Sequence, residues 1–148
     1  MNVEAVIKTS VRIPLRPRTI IHLMLVSNRM NEAVTQALKP HDVSLQQFNV
    51  LRILRGRKGE PANLSTLNER MVSKMSNTTR LVDKLIAKGY VRRNVCPSNR
   101  RKVEIFITPE GHSALQEMDR VVQDAEHDLL TGFSDDDLQQ LNTLLDKF

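Results

Sequence analysis

Two short helix signals stand almost end to end in the middle of this chain, and two β-forming stretches follow them without a linker. Asn63 is placed to cap a first helix from Leu64 to about Met71, and Ser73 a second from about Lys74 to Lys88. Gly89 stands where a helix closes on a left-handed residue, and Lys84 and Lys88 in the last turns suit the helix dipole. Tyr90 to Val95 and Lys102 to Ile107 are rich in β-formers. In the second stretch Val103, Ile105 and Ile107 alternate with Lys102, Glu104 and Phe106. Between them, Cys96-Pro97-Ser98-Asn99-Arg100-Arg101 contains a turn signal, which makes the pair a β-hairpin with a basic tip.

The flanking segments are helical. Residues 1–17 read as an irregular arm, because Pro14 and Pro17 fix extended backbone and forbid a helix interior. From about Thr19 to Leu38 the apolar positions Ile20, Leu23/Met24, Met30, Val34 and Leu38 recur at helical spacing, and Pro40 stops the run. Ser44 caps a further helix with Leu45, Phe48, Val50/Leu51 and Leu54 inward, ended by Gly56; residues 56–62 are a loop. Thr108-Pro109-Glu110 opens a long helix in which Leu115, Met118, Val122, Ala125 and Leu129 are spaced 3, 4, 3, 4. Ser134 with Asp137 caps a last helix carrying Leu138, Leu141, Leu145 and Phe148 at 3, 4, 3. These seams exceed what a small central unit needs to cover, so a symmetric dimer is the simplest occupant; an intramolecular helical bundle is the alternative.

Composition narrows the partners. The 148 residues carry a net charge of +5, but residues 1–60 hold +6, 61–104 hold +7 and 105–148 hold −8. A basic middle with an acidic end is the footprint of a nucleic-acid binder, although charge runs are also found on plain solvated faces. Aromatic residues are 3% of the chain, too few for the stacking platforms of single-strand binders, so the expected partner is a duplex. One Cys excludes a disulfide framework and fits a reducing cytoplasm. The longest apolar stretch, residues 20–26, is far short of the ~20 residues that span a bilayer, and no secretory signal is evident.

Helix, tight connection, helix and β-hairpin is the order of a winged helix-turn-helix, which lays one helix end in a major groove while the hairpin reaches the neighbouring backbone or minor groove. The fold class is therefore mainly α with a small β-hairpin wing. The domain reading is an arm at 1–17, dimerisation helices at 18–40 and 108–148, and the winged DNA-binding domain at 41–107. In the second helix Thr78, Leu81, Val82 and Leu85 share an inward face, while Ser76, Arg80 and Asp83 face out, with Asn77 and Lys84 on the flanks. Arg suits guanine O6/N7 and Asn suits adenine N6/N7. Asp83 is awkward beside DNA unless Arg80 pairs with it at i,i+3.

Here the motifs become specific. Leu67-Asn68-Glu69-Arg70-Met71, Ser76-Asn77-Thr78-Thr79-Arg80-Leu81-Val82-Asp83-Lys84-Leu85, Lys88-Gly89-Tyr90-Val91, Pro97-Ser98-Asn99-Arg100-Arg101 and Ile107-Thr108-Pro109-Glu110-Gly111 follow in order. With Leu45-Gln46-Gln47-Phe48-Asn49-Val50-Leu51 before them, the chain over roughly residues 20–148 resembles the MarR family of bacterial transcriptional regulators. The resemblance implies a homodimer reading a pseudo-palindrome, more often a repressor, released by an effector. It places Ser76, Asn77 and Arg80 at bases and Thr79 and Lys84 nearer phosphates. It places Asn99, Arg100 and Arg101 in the wing, with Asn99 where the family usually has Asp. Dimerisation falls to Leu115, Met118, Val122, Leu129, Leu138, Leu141 and Leu145.

Other features carry less. Cys96 lies among Arg92, Arg93, Arg100 and Arg101, which would lower its pKa and make it an oxidation sensor; the alternative is an incidental hairpin cysteine. No two of His22, His41, His112 and His127 share an i,i+4 spacing, so no zinc site is expected, and Asp135-Asp136-Asp137 reads as helix N-terminal acids. His22, Arg29 or Phe48 are candidates to line a small-molecule effector pocket, with core or surface roles as the alternative. No catalytic triad, nucleotide loop or carboxylate pair can be placed, so no enzyme and no cofactor are expected. The rival function is a winged-helix protein-interaction module.

Overall fold

Pro14 and Pro17 do not hold residues 1–17 extended; they bracket a helix start. In the computed structural model, which describes residues 1–72, 77–96 and 99–148 (without the side chains of 96 and 99–102), helix α2 runs Leu15–Leu38. Pro17 falls in its first turn, where backbone amides have no intrahelical partner, so a missing N–H costs nothing there. Ahead of it, the short helix α1, Val3–Val6, is capped by the Asn2 side chain, which accepts from the Ala5 amide at 3.1 Å. Val3 is buried, and the Arg18 guanidinium donates to both Glu4 carboxylate oxygens at 2.8 and 3.1 Å. The arm thus holds one short helix, and residues 7–14 between it and α2 form no helix or strand.

A 3-10 turn, Lys39–His41, leads to α3, Leu45–Gly56, then α4, Leu64–Arg70, and α5, Thr78–Ala87. The hairpin strands are β1, Val91–Cys96, and β2, Asn99–Ile107; α6, Pro109–Leu130, and α7, Asp135–Leu145, complete the order. The local reasons are those legible in the residues. Ser44 and Gln47 make a reciprocal capping box on α3, Asn63 accepts from Thr66 N–H on α4, and Ser134 and Asp137 box α7. The Ser134 hydrogen bonds also hold the Asp137 carboxyl below its ordinary pKa.

The chain forms two compact units, residues 35–124 and residues 1–34 with 125–148. The boundaries between these units fall inside α2 and α6. Among the described residues, 16 of the 17 buried apolar side chains belong to the 35–124 unit, while 14 of the 16 exposed large ones belong to the other. The first unit therefore has its core within one chain, and the second leaves its apolar faces open. The residues expected in the dimer seam differ in how far the single chain covers them. Leu115, Met118 and Val122 are buried in the single chain, so that half of the repeat is already covered; Leu129 and Leu138 are half-buried, and Leu141 and Leu145 are exposed.

Within the 35–124 unit, Phe48, Val50, Leu51 and Leu54 of α3 join Leu67 of α4, Val82 and Leu85 of α5, and Val91 and Ile105 of the hairpin in the core. The loop at 56–62 is not wholly irregular. Ala62 exchanges both backbone hydrogen bonds with Ile105, at 3.0 and 2.8 Å, and so adds a single-residue third rung to the hairpin.

The end of α5 meets the start of α6 at one backbone carbonyl. Gly89, at φ +76°, and Tyr90 donate to Ile86 and Leu85 carbonyls at 2.9 and 3.0 Å, which is a Schellman closure of α5. The Tyr90 carbonyl then accepts from Thr108 N–H at 3.0 Å, and a Cβ on Gly111 would stand 2.1 Å from that same oxygen. Only glycine permits this approach. Gly111→Ala should therefore force backbone apart and cost roughly 1–3 kcal/mol or more, lowering Tm by several degrees; a thermal melt matching the parent chain would contradict the packing described.

Candidate nucleic-acid interface

Helix α5 is amphipathic, and its burial fixes which side chains face out. Thr78, Val82 and Leu85 are buried and Leu81 is half-buried. Thr79, Arg80, Asp83 and Lys84 are exposed, on one continuous face at i, i+1, i+4 and i+5. The helix begins at Thr78, later than the Lys74 expected, because Asn77 is the N-cap. The Asn77 side chain makes no cap hydrogen bond. The Thr78 hydroxyl donates to Asn68 Oδ1 at 3.5 Å, which links α5 to α4. Ser73 and Ser76, expected as cap and base contact, lie outside the described residues.

The ion pairing differs from expectation in one respect. Asp83 does not pair with Arg80; its Oδ1 accepts from Arg93 Nη2 of β1 at 2.6 Å. The reason is strand register. Arg93 lies opposite Ile105 and shares the face of buried Val91, which directs it toward α5. Arg80 and Lys84 make no ion pair or hydrogen bond with any other described side chain. The acid on the reading face is thus neutralised from the wing and not by Arg80.

On the opposite face of the hairpin, Arg92 lies across from Phe106 with its guanidinium 4.4 Å from the ring centroid, a cation–π contact that stiffens the wing's base. The register runs regularly from Val91↔Ile107 to Val95↔Val103 and then shifts, so that Cys96 pairs with Asn99. Asn99, Arg100 and Arg101 belong to β2 rather than to a turn. Their side chains and that of Cys96 are outside the described residues, as are Pro97 and Ser98.

Behind α5, Lys88 Nζ donates to Asp42 Oδ2 at 2.6 Å, and this contact holds the Asp42 carboxyl below its ordinary pKa. A shallow cleft of ≈ 560 Å³ opens there, lined by Lys39, Asp42, Gln47, Lys84 and Lys88 among others. None of His22, Arg29 and Phe48 lines it. Phe48 is buried in the core with Arg52 over its ring at 5.5 Å, His22 is half-buried and Arg29 exposed. The described residues hold no cluster of three or more His, Cys, Asp or Glu able to bind a metal, and no helix among them is long and apolar enough to cross a membrane.

Three helices, a single-residue rung and a two-stranded hairpin in this order make a winged helix-turn-helix with a cationic reading face. Residues 43–103 match the sequence profile of the MarR family. The chain is similar to the HTH-type transcriptional regulator PecS of Dickeya dadantii (strain 3937), 30% identical over 126 residues covering 83% of this chain and 75% of PecS. It is 26% identical to the multiple antibiotic resistance protein MarR of Salmonella typhimurium, over 84% of this chain and 86% of that one. Among solved structures, a mutant MarR from E. coli complexed with operator DNA superposes with a TM-score of 0.76 at 25% identity, over 90% of this chain and 93% of that one. The chain belongs to the MarR family.

The Asp83–Arg93 pair is half-exposed, so it should contribute at most about 1 kcal/mol to stability. Its larger effect is on charge at the reading face. Arg93→Gln should weaken duplex binding in fluorescence anisotropy, and adding Asp83→Asn should restore most of the loss. No restoration would mean that Arg93 acts on the nucleic acid directly.

Proposed function

We propose that this chain is a sequence-specific, duplex-DNA-binding transcriptional regulator that acts as a homodimer on a pseudo-palindromic operator in the bacterial cytoplasm. The observation that carries this reading is the outward face of α5. Asn77, Thr79, Arg80 and Lys84 are exposed together, neither cation makes an ion pair or hydrogen bond with another described side chain, and the one acid among them is paired with Arg93. The relatives support it: PecS is named as an HTH-type transcriptional regulator, and one structural neighbour is complexed with operator DNA. No step of this function requires enzymatic chemistry.

The N-terminal half of α5 enters the major groove. Arg80 donates to a guanine edge, with Asn77 and Ser76 at neighbouring bases, while Thr79 and Lys84 meet phosphates. The wing carries Asn99, Arg100 and Arg101 toward the adjoining backbone or minor groove. Asn99 orients an arginine there without the charge assistance of an aspartate. Two such heads, held about one helical turn apart by the dimer, match two half-sites. Repression is the expected outcome, and a small-molecule effector that favours a different spacing of the heads releases the DNA.

With about four phosphate contacts per subunit, the slope of log K against log salt should be near −7. Arg80→Ala should cost roughly 1–3 kcal/mol per half-site on the operator and much less on random duplex. Equal losses on both would remove Arg80 from base reading. A dimer with no salt-dependent duplex binding would instead support a protein-interaction module.

A further inference from the structure

We propose that Val72, in the connection between α4 and α5, is a specificity-determining residue that packs on the C5-methyl group of a thymine in the major groove. The inference rests on the duplex-reading function above and adds a contact from outside the reading helix.

The 35–124 unit hides nearly all of its large apolar side chains. Among the described residues it exposes only two, Val72 and Val95, and Val72 at 92% is the most exposed large apolar side chain in the chain. Backbone geometry turns it outward. Met71 closes α4 with its N–H on the Leu67 carbonyl at 3.2 Å and takes extended conformation, φ −70° and ψ 134°, with its own side chain buried. Successive residues of extended chain point to opposite sides, so the side chain after Met71 faces away from the core.

The place is the groove end of α5. The Thr78 hydroxyl donates to Asn68 Oδ1 at 3.5 Å, which holds the last turn of α4 against the first residue of α5. Val72 leaves that junction on the side of the Asn77 N-cap, next to the end of α5 that carries Thr79 and Arg80.

The surroundings select the occupant. The other exposed side chains described between residues 69 and 80 are Glu69, Arg70, Asn77, Thr79 and Arg80, all polar or charged. A protein partner needs a contiguous apolar patch of hundreds of Å², which one isopropyl group among such neighbours does not make. A duplex presents one apolar group in its major groove, the thymine C5-methyl, and a single valine matches it in size. Val95 has a different setting. It stands on the wing opposite Val103, on the face of Val91 and Arg93, and so pairs within the hairpin.

The test takes an operator selected from random duplex by the parent chain and replaces each thymine in turn with deoxyuridine, which lacks only the methyl group. Val72→Ala removes nothing from the core, so its thermal melt should match the parent's. In fluorescence anisotropy, one thymine per half-site should weaken the parent about fourfold when replaced, the worth of burying one methyl. Val72→Ala should lose a similar factor on the intact operator and nothing further at that thymine, while Val95→Ala keeps the parent's sensitivity. A parent indifferent to every replacement, or a Val72→Ala variant as sensitive as the parent, overturns the methyl contact and leaves base reading by α5 untouched. Sensitivity lost in Val95→Ala instead moves the contact to the wing and overturns it as well. A parent that selects no sequence overturns the regulator reading and this inference together.

Discussion

The carbonyl of Tyr90 is the point on which the reading head depends. The residue that supplies it also caps α5 through its own N–H, and its oxygen is held by Thr108 and approached by Gly111. Thr108 completes the junction by donating its hydroxyl to Gly89 O at 2.7 Å and accepting from Gly111 N–H at 3.0 Å. Within a few residues the end of α5, the start of β1, the end of β2 and the start of α6 are thereby tied together by backbone groups. Backbone hydrogen bonds have little freedom to adjust, so the angle between the reading helix and the wing is set from behind. Arg93 on Asp83 sets it again from the front.

This geometry gives the charge distribution its meaning. A net charge of +5 describes the molecule poorly, because it is the remainder of a basic first two-thirds and an acidic end. Within the reading head, the exposed acid on α5 is paired with Arg93, while Arg80 and Lys84 make no ion pair with another described side chain. Long-range attraction to a polyanion is thus concentrated on the face able to read it, and the acids of α7 belong to the other unit. That unit buries only Val3 among its apolar side chains and leaves many more uncovered, as expected of one that completes its core in a dimer.

What was legible in the residues was whatever a few neighbouring positions decide. Asn63, Ser44, Ser134 and Gly89 announce helix ends because a cap is a contact between a side chain or a left-handed residue and backbone within one turn. Thr78, Val82 and Leu85 announce the inward face of α5 because helical period alone selects it. Pro14 and Pro17 misled because proline is tolerated or forbidden according to where a helix begins, which the prolines themselves do not reveal. Leu115, Met118 and Val122 showed an apolar face, and period does not say whether the same chain or another covers it. The partner of Asp83 was sought one turn away at Arg80 and lies across a strand at Arg93, a pairing set by register. Ala62 left no pattern, since a single-residue rung has no period.

The central claim is that α5 reads base edges through Arg80 in the major groove. It is tested most directly by selecting a bound operator from genomic fragments and replacing its guanines one at a time with 7-deazaguanine, which removes the N7 acceptor and leaves pairing intact. The account predicts one guanine per half-site whose replacement weakens the parent chain and has no further effect on the Arg80→Ala variant. Parent and variant losing equal affinity at every replaced guanine would contradict it.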